Sequence, residues 1–198
     1  MSGLKSPFFW FILAVLTTAG LTALGPEEAS LGANVRIVYL HGAWVLTAEA
    51  ALALAALTGL LGILRRSERI QRWSSALGRT GIFFWVTYLP LSLWAMEANW
   101  NGLFLSEPRF RIAVIFAVTG VLVQIGASLL AKPAVTCLLN FAFGMALWFA
   151  LSRAAYVMHP PPSPIFSSGI LSLQLFFVTI IFLTLAAAYF LTRWWLRR

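Results

Sequence analysis

Apolar residues along the chain gather into six long blocks: Pro7–Leu24, Ile37–Leu64, Gly81–Met96, Ile112–Ala131, Ala134–Leu151 and Ile170–Thr192. Each block is close to or beyond the roughly 17 to 25 residues that a helix needs to cross hydrocarbon. The pattern predicts six transmembrane helices. The third block is the shortest and contains Pro90, which lacks a backbone donor and is expected to kink the helix. The second block is longer than hydrocarbon requires. Its first turns, carrying Arg36, Tyr39 and His41, are expected in the interfacial zone, with the Ala/Leu-rich remainder crossing. The first block, preceded by Lys5, also has the outline of a secretory signal, but its apolar run exceeds the usual core of about 7–15 residues and no A-x-A site precedes Pro26. An uncleaved helix is the plainer expectation.

Composition agrees with a membrane class. Apolar residues make up 61% of the 198 positions, charged ones 10%, and Asp is absent. That balance excludes a water-soluble domain and gives an all-α, polytopic integral membrane protein, one six-helix domain over residues 1–198. The net charge of +8 would suit nucleic acid only if it were patched. Instead the basic residues concentrate in alternate loops, as orientation signals do. With six spans, ten fall on one side (Lys5, Arg65, Arg66, Arg69, Arg72, Arg79, Lys132, Arg193, Arg197 and Arg198) and four on the other (Arg36, Arg109, Arg111 and Arg153). Both termini are therefore expected in the cytoplasm, and in a bacterium the opposite face is the periplasmic side of the inner membrane. Cys137 is the lone cysteine, so there is no disulfide framework, no C-x-x-C pair and no C-x-x-C-H haem attachment site. No phosphate loop, zinc-spaced cluster or nucleophile with a nearby base is present, which points away from an enzyme.

The connecting segments differ in character. Arg65 to Arg79 places Ile70, Trp73 and Leu77 on one helical face and arginines on the other, which suits either a short helix on anionic headgroups or a solvated positive loop. Trp194 and Trp195, beside Arg193, Arg197 and Arg198, read as an interfacial anchor. The segment 97–111 is expected to be a short external Trp-rich loop, with Trp94 upstream of it and Trp100, Phe104, Arg109 and Arg111 within it. Aromatic faces pack on porphyrins and arginines pair with propionates, although an aromatic belt with a polar turn has the same composition. The segment 152–168 is expected to be a second external loop, stiffened by Pro160 to Pro162. Glu49, within the second block, is either a functional intramembrane carboxylate or a protonated one bonded to a neighbouring helix near Gln124 or Asn140.

The chain has two histidines. His41, in Tyr39-Leu40-His41-Gly42-Ala43-Trp44, and His159, in Val157-Met158-His159-Pro160, flank the aromatic loop at the same expected membrane face. Imidazole is a common axial ligand of haem iron, so the pair is a candidate bis-histidine site. Each alone also fits an ordinary surface histidine.

These segments resemble the cytochrome c assembly proteins that handle haem, among them the six-span CcmC type. Val35-Arg36-Ile37-Val38-Tyr39-Leu40-His41 is similar to the family segment entering the second helix, with Trp44 two residues on where the family has a Pro-containing insertion. Trp100 to Arg109 aligns with the W-G-x-W-W-x-W-D-x-R loop. It keeps the first Trp, an aromatic at Phe104, an acid at Glu107 and the Arg at position 109, but lacks the central tryptophans. Ser152 to Tyr156 and His159 fall where the family has its second external histidine. The resemblance implies non-covalent haem b held by His41 and His159. It also implies propionate contacts from Arg109, Arg111 and Arg36 and porphyrin contacts from Trp94, Trp100, Phe104 and Trp44. Transfer would be to a haem chaperone or synthase, or in company with an ABC-type partner. The alternatives are a cofactor-free scaffold or transporter subunit, and a bis-histidine electron-transfer subunit.

Overall fold

A computed structural model describes residues 6–157 and 163–198. Among them are six helices: α1 (Pro7–Ala23), α2 (Val35–Leu64), α3 (Glu68–Trp100), α4 (Pro108–Leu130), α5 (Pro133–Arg153) and α6 (Leu171–Trp195). The protein is all-α. Pro7, Pro108 and Pro133 open three of the helices, at the position where a missing N–H removes no helical bond. Glu107 caps α4 by accepting the Phe110 N–H at 2.6 Å. Left-handed residues end three helices: Arg66 after α2, Asn101 after α3 and Ala131 after α4.

The helices run alternately up and down. The start of α1 meets the end of α6 through Phe8 and Trp194, whose rings lie 5.2 Å apart. The same end holds the α2–α3 turn, where Arg72 donates to the Leu196 carbonyl at 3.2 Å. We refer to it as the terminal end. At the far end, Asn34 before α2 donates to the Ala98 carbonyl near the end of α3, at 2.7 Å.

The third block departs from expectation. Helix α3 is not the shortest but the longest, 33 residues, and it runs uninterrupted through Pro90 and through the arginine-bearing segment expected to form a loop. The turn contracts to Arg65, Arg66 and Ser67, with the Ser67 amide donating to the Gly62 carbonyl at 3.1 Å and the Arg66 amide to Ile63 at 3.2 Å. The reason is burial of small residues on more than one side of the segment. Ser74, Ala76 and Gly78 are buried, so small residues, not Ile70, Trp73 and Leu77, decide how it packs. Likewise, the Trp-rich loop narrows to 101–107, because Glu97 to Trp100 finish α3 and Pro108 to Arg111 begin α4.

Helix α2 is the axis of the bundle, pressed between α3 and α5. A Cβ at Gly81 would lie 2.6 Å from the Leu52 side chain, and one at Gly59 would lie 2.7 Å from the Cys137 carbonyl. Polar bonds fix the register. Ser74 donates to the Ala55 carbonyl at 2.8 Å, Asn140 donates to the Ser74 carbonyl at 2.9 Å, and Gln124 donates to Asn140 Oδ1 at 2.9 Å. Helices α2, α3, α4 and α5 thus share one buried network. Helix α6 joins through hydroxyl pairs, Thr47 to Thr184 at 2.7 Å and Thr192 to Thr80 at 2.9 Å. Gln124 and Asn140 are satisfied by this network, not by Glu49.

Helices α2, α4, α5 and α6 are long and apolar enough to cross a membrane, whereas α1 is apolar but has 17 residues. Leucines, isoleucines and phenylalanines stand exposed along them, among them Leu57, Ile115, Leu122, Leu138 and Phe182. Such a belt suits a lipid surface.

Replacing Gly59 by Val is expected to force α5 off α2 and to lower stability by about 1–3 kcal/mol, the cost of overpacking a tight core. Thermal unfolding in detergent measures this. A Gly126→Val control, at a glycine with open space around it, is expected to melt close to the parent.

Candidate functional site

The candidate residues lie at the far end, where α2 enters the bundle. Before α2 the chain makes a tight turn in which Glu28 accepts the backbone amides of Ser30 at 2.9 Å and Leu31 at 3.0 Å, and also the Ser30 hydroxyl. The Ser30 hydroxyl, together with those amides, holds the exposed Glu28 carboxyl below its ordinary value. Arg36 is committed to the same connection. Its Nε donates to the Gly25 carbonyl at 3.0 Å and its terminal nitrogen to Glu27 at 3.2 Å. Tyr39 is fully buried against Phe176, ring centroids 5.1 Å apart, and its hydroxyl donates to the Pro26 carbonyl at 3.2 Å.

His41 follows one half-turn later, so it leaves α2 on a different side from Tyr39. It is half-buried, and its ring lies 5.7 Å from that of Tyr88 on α3. Tyr88 is itself buried, edge-on to Trp85 at 5.2 Å. Trp85 donates to the Ala113 carbonyl at 3.1 Å, which sets the level of α4 beside α3 and brings Arg109 near Tyr88. The Arg109 guanidinium acts electrostatically on Glu49 of α2 and, with Glu49 and Glu107, on Tyr88. Its Nε is buried and meets no hydrogen-bond acceptor. His41 and Tyr88 are therefore in ring contact at the far end, and Glu49 and Arg109 lie within electrostatic reach of Tyr88 from α2 and α4. A buried guanidinium N–H left unpaired costs about 1–3 kcal/mol, so an arriving carboxylate would be stabilised there.

Other expected contacts lie elsewhere. Trp44 is buried between α2 and α3, its indole donating to Thr87 at 2.8 Å and its ring 4.7 Å from Phe84. It has no face to offer a ligand. Its spacing from His41 resembled a site motif, but its role is helix packing. Arg36 is held by Glu27 and a carbonyl. By contrast Trp94 is 61% exposed, Phe104 is 40% exposed and packs on Trp100 at 5.8 Å, and Arg111 is exposed. His159 lies outside the described residues, so its place relative to His41 is not part of this geometry. Among the described residues no three His, Cys, Asp or Glu side chains gather as a metal-ligand group. A two-imidazole site would not require one.

For haem, the described residues fit in part. One imidazole, a half-buried arginine with an enclosed and unfilled Nε–H, exposed aromatics and Arg111 suit the iron, a propionate and the porphyrin face, while Trp44 and Arg36 do not. Tyr88 and Glu49 are the neighbouring residues that sequence reasoning left out of the site. The available signal was a phenol and a carboxylate within apolar blocks. Comparison with protein-family models, curated proteins and solved structures finds no match to this chain.

Two outcomes follow. In a double-mutant cycle, Arg109→Met is expected to destabilise more in the parent than in a Glu49→Gln background, as measured by unfolding in detergent. The Glu28 turn has its own pH signature. Because its carboxyl is depressed on folding, its contribution is present above the ordinary value of 4.5 and is lost as pH falls through the lower folded value. A Glu28→Gln variant should melt below the parent at neutral pH and converge with it at acid pH.

Proposed function

We propose that this chain is a haem-binding membrane protein of cytochrome c assembly, holding haem b without covalent attachment at the far end of the bundle. In this reading six helices span a bacterial inner membrane, both termini are cytoplasmic, and the site faces the periplasm. The observation that carries it is that His41 rests on Tyr88 while the buried Arg109 Nε beside that tyrosine has no acceptor. His41 and His159 would be the imidazoles that hold the iron. Arg109 takes a propionate, with Arg111 at the exposed rim, and Trp94, Trp100 and Phe104 cover the macrocycle.

When bound, haem with two imidazoles is coordinatively saturated, which suits holding and delivery over oxygen chemistry. Tyr88 positions His41 through ring contact. Delivery would be to a chaperone or synthase, or in company with an ABC-type partner.

A second reading, a cofactor-free membrane scaffold, is favoured by Trp44 and Arg36, which serve packing and the α1–α2 connection. The two separate in one experiment. Purified protein reconstituted with hemin is expected to give a low-spin bis-imidazole Soret spectrum that shifts or fades in both His41→Ala and His159→Ala. Arg109→Met is expected to weaken hemin binding by about tenfold while retaining the low-spin shape. A parent protein that takes up no hemin, with melting unchanged by either histidine substitution, would establish the scaffold reading instead.

A further inference from the structure

At the terminal end, two recesses meet. One is a groove of about 600 Å³ between α3, α4 and the end of α6, walled by Ile82, Phe83, Val86, Val121, Ile125 and Leu129. The other, about 290 Å³, is lined by Arg72, Ser75, Arg79, Trp195 and Arg198. Arg79 and Trp195 line both, so the apolar groove opens directly into the basic recess. The larger volume lies within the roughly 300–1,000 Å³ of small-ligand sites.

The arginines are held by neutral groups. Arg79 lies over the Trp195 ring at 5.4 Å, Arg198 over the Trp194 ring at 5.1 Å, and Arg72 donates to the Leu196 carbonyl at 3.2 Å. No Asp or Glu side chain lines either recess, and among the described residues none of these three arginines is in an ion pair with Asp or Glu. The Trp195 indole N–H is buried without an acceptor. Three cations and an unfilled donor thus stand at the mouth of an apolar groove whose wall residues Val121, Ile125 and Leu129 are exposed. A tail of hydrocarbon attached to a phosphate matches both halves, and a bilayer presents that molecule along this surface.

We infer that this groove and its arginine mouth form a binding site for one anionic glycerophospholipid, an acyl chain between α3 and α4 and the phosphate between Arg72, Arg79 and Arg198. The inference depends on the bundle lying in a bilayer, not on the haem reading. Arginine geometry suits the phosphate oxygens, which accept two parallel N–H bonds from one guanidinium. A diffuse positive surface would instead attract any anionic lipid in proportion to its total charge. The two differ in which arginine matters.

Native mass spectrometry of the detergent-solubilised chain, titrated with phosphatidylglycerol or phosphatidylcholine, tests the site. One phosphatidylglycerol is expected to be retained in preference to phosphatidylcholine. Arg79→Gln and Arg72→Gln are each expected to weaken it about tenfold. Arg69→Gln, which removes the same charge from the same helix but lines neither recess, is expected to leave it unchanged. Val121→Trp, filling the groove with all charges kept, should also weaken it, and inorganic phosphate should not compete. Equal loss in Arg69→Gln and Arg79→Gln, equal retention of phosphatidylcholine, no effect of Val121→Trp, or competition by inorganic phosphate would each overturn the site. Far-ultraviolet circular dichroism confirms that each variant keeps its helix content. If Arg79→Gln loses helix, Arg72→Gln carries the same comparison.

Discussion

The close approach of α2 to α3 and α5 is the constraint on which the rest of the structure depends. Between helices in lipid there is no hydrophobic gain from contact, so association relies on backbone proximity and on polar bonds that lipid cannot replace. Gly59 and Gly81 permit the proximity, and Ser74, Asn140 and Gln124 supply the bonds. Each member of that network has a defined partner, so sliding α3 by one turn against α2 would orphan several polar groups at once. The network lies near the terminal end, yet it fixes the far end too. With Ser74 held at Ala55, the antiparallel pair necessarily sets Thr87 beside Trp44 and Tyr88 beside His41.

That dependence explains what could be read from residues alone. The apolar blocks mark α1, α2, α4, α5 and α6 to within a few positions, because the bilayer's demand for apolar length is a property of single segments. Helix α3 departs from its hydropathy for the same reason. Its first half is polar and arginine-bearing, and hydropathy reads it as loop, while its helical continuity comes from Ser74 and Gly78 nesting on α2 and α5. Gly78 shows the mechanism: a Cβ there would sit 2.7 Å from the Asn140 amide oxygen. Small polar residues carry no hydropathy signal, and their meaning depends on a partner helix far along the chain.

The site divides along the same line. His41 and Arg109 were legible because rare residue types in a chain with 10% charged positions are conspicuous. Trp44 was equally conspicuous and its packing role was not, since an indole flanking a histidine reads alike whether its ring faces a ligand or Phe84. Tyr88 and Glu49 acquire meaning only when α2, α3 and α4 are assembled. That proximity is a product of helix register, and register is a property of pairs.

Charge is handled in two opposite ways at the two ends of the bundle. At the terminal end Arg72, Arg79 and Arg198 remain at the surface, supported by indole faces and a carbonyl, so their charge is available outward. At the far end Arg109 is half-buried, with its Nε enclosed and without an acceptor among the described residues. Its unfilled Nε donor costs about 1–3 kcal/mol. Natural sequences tolerate such an arrangement where a ligand completes it, and the exposed Arg111 two residues later shows that the same helix start can also accommodate an arginine facing solvent. The enclosed, unpartnered Nε of Arg109 is thus the part of the far end that packing alone does not explain.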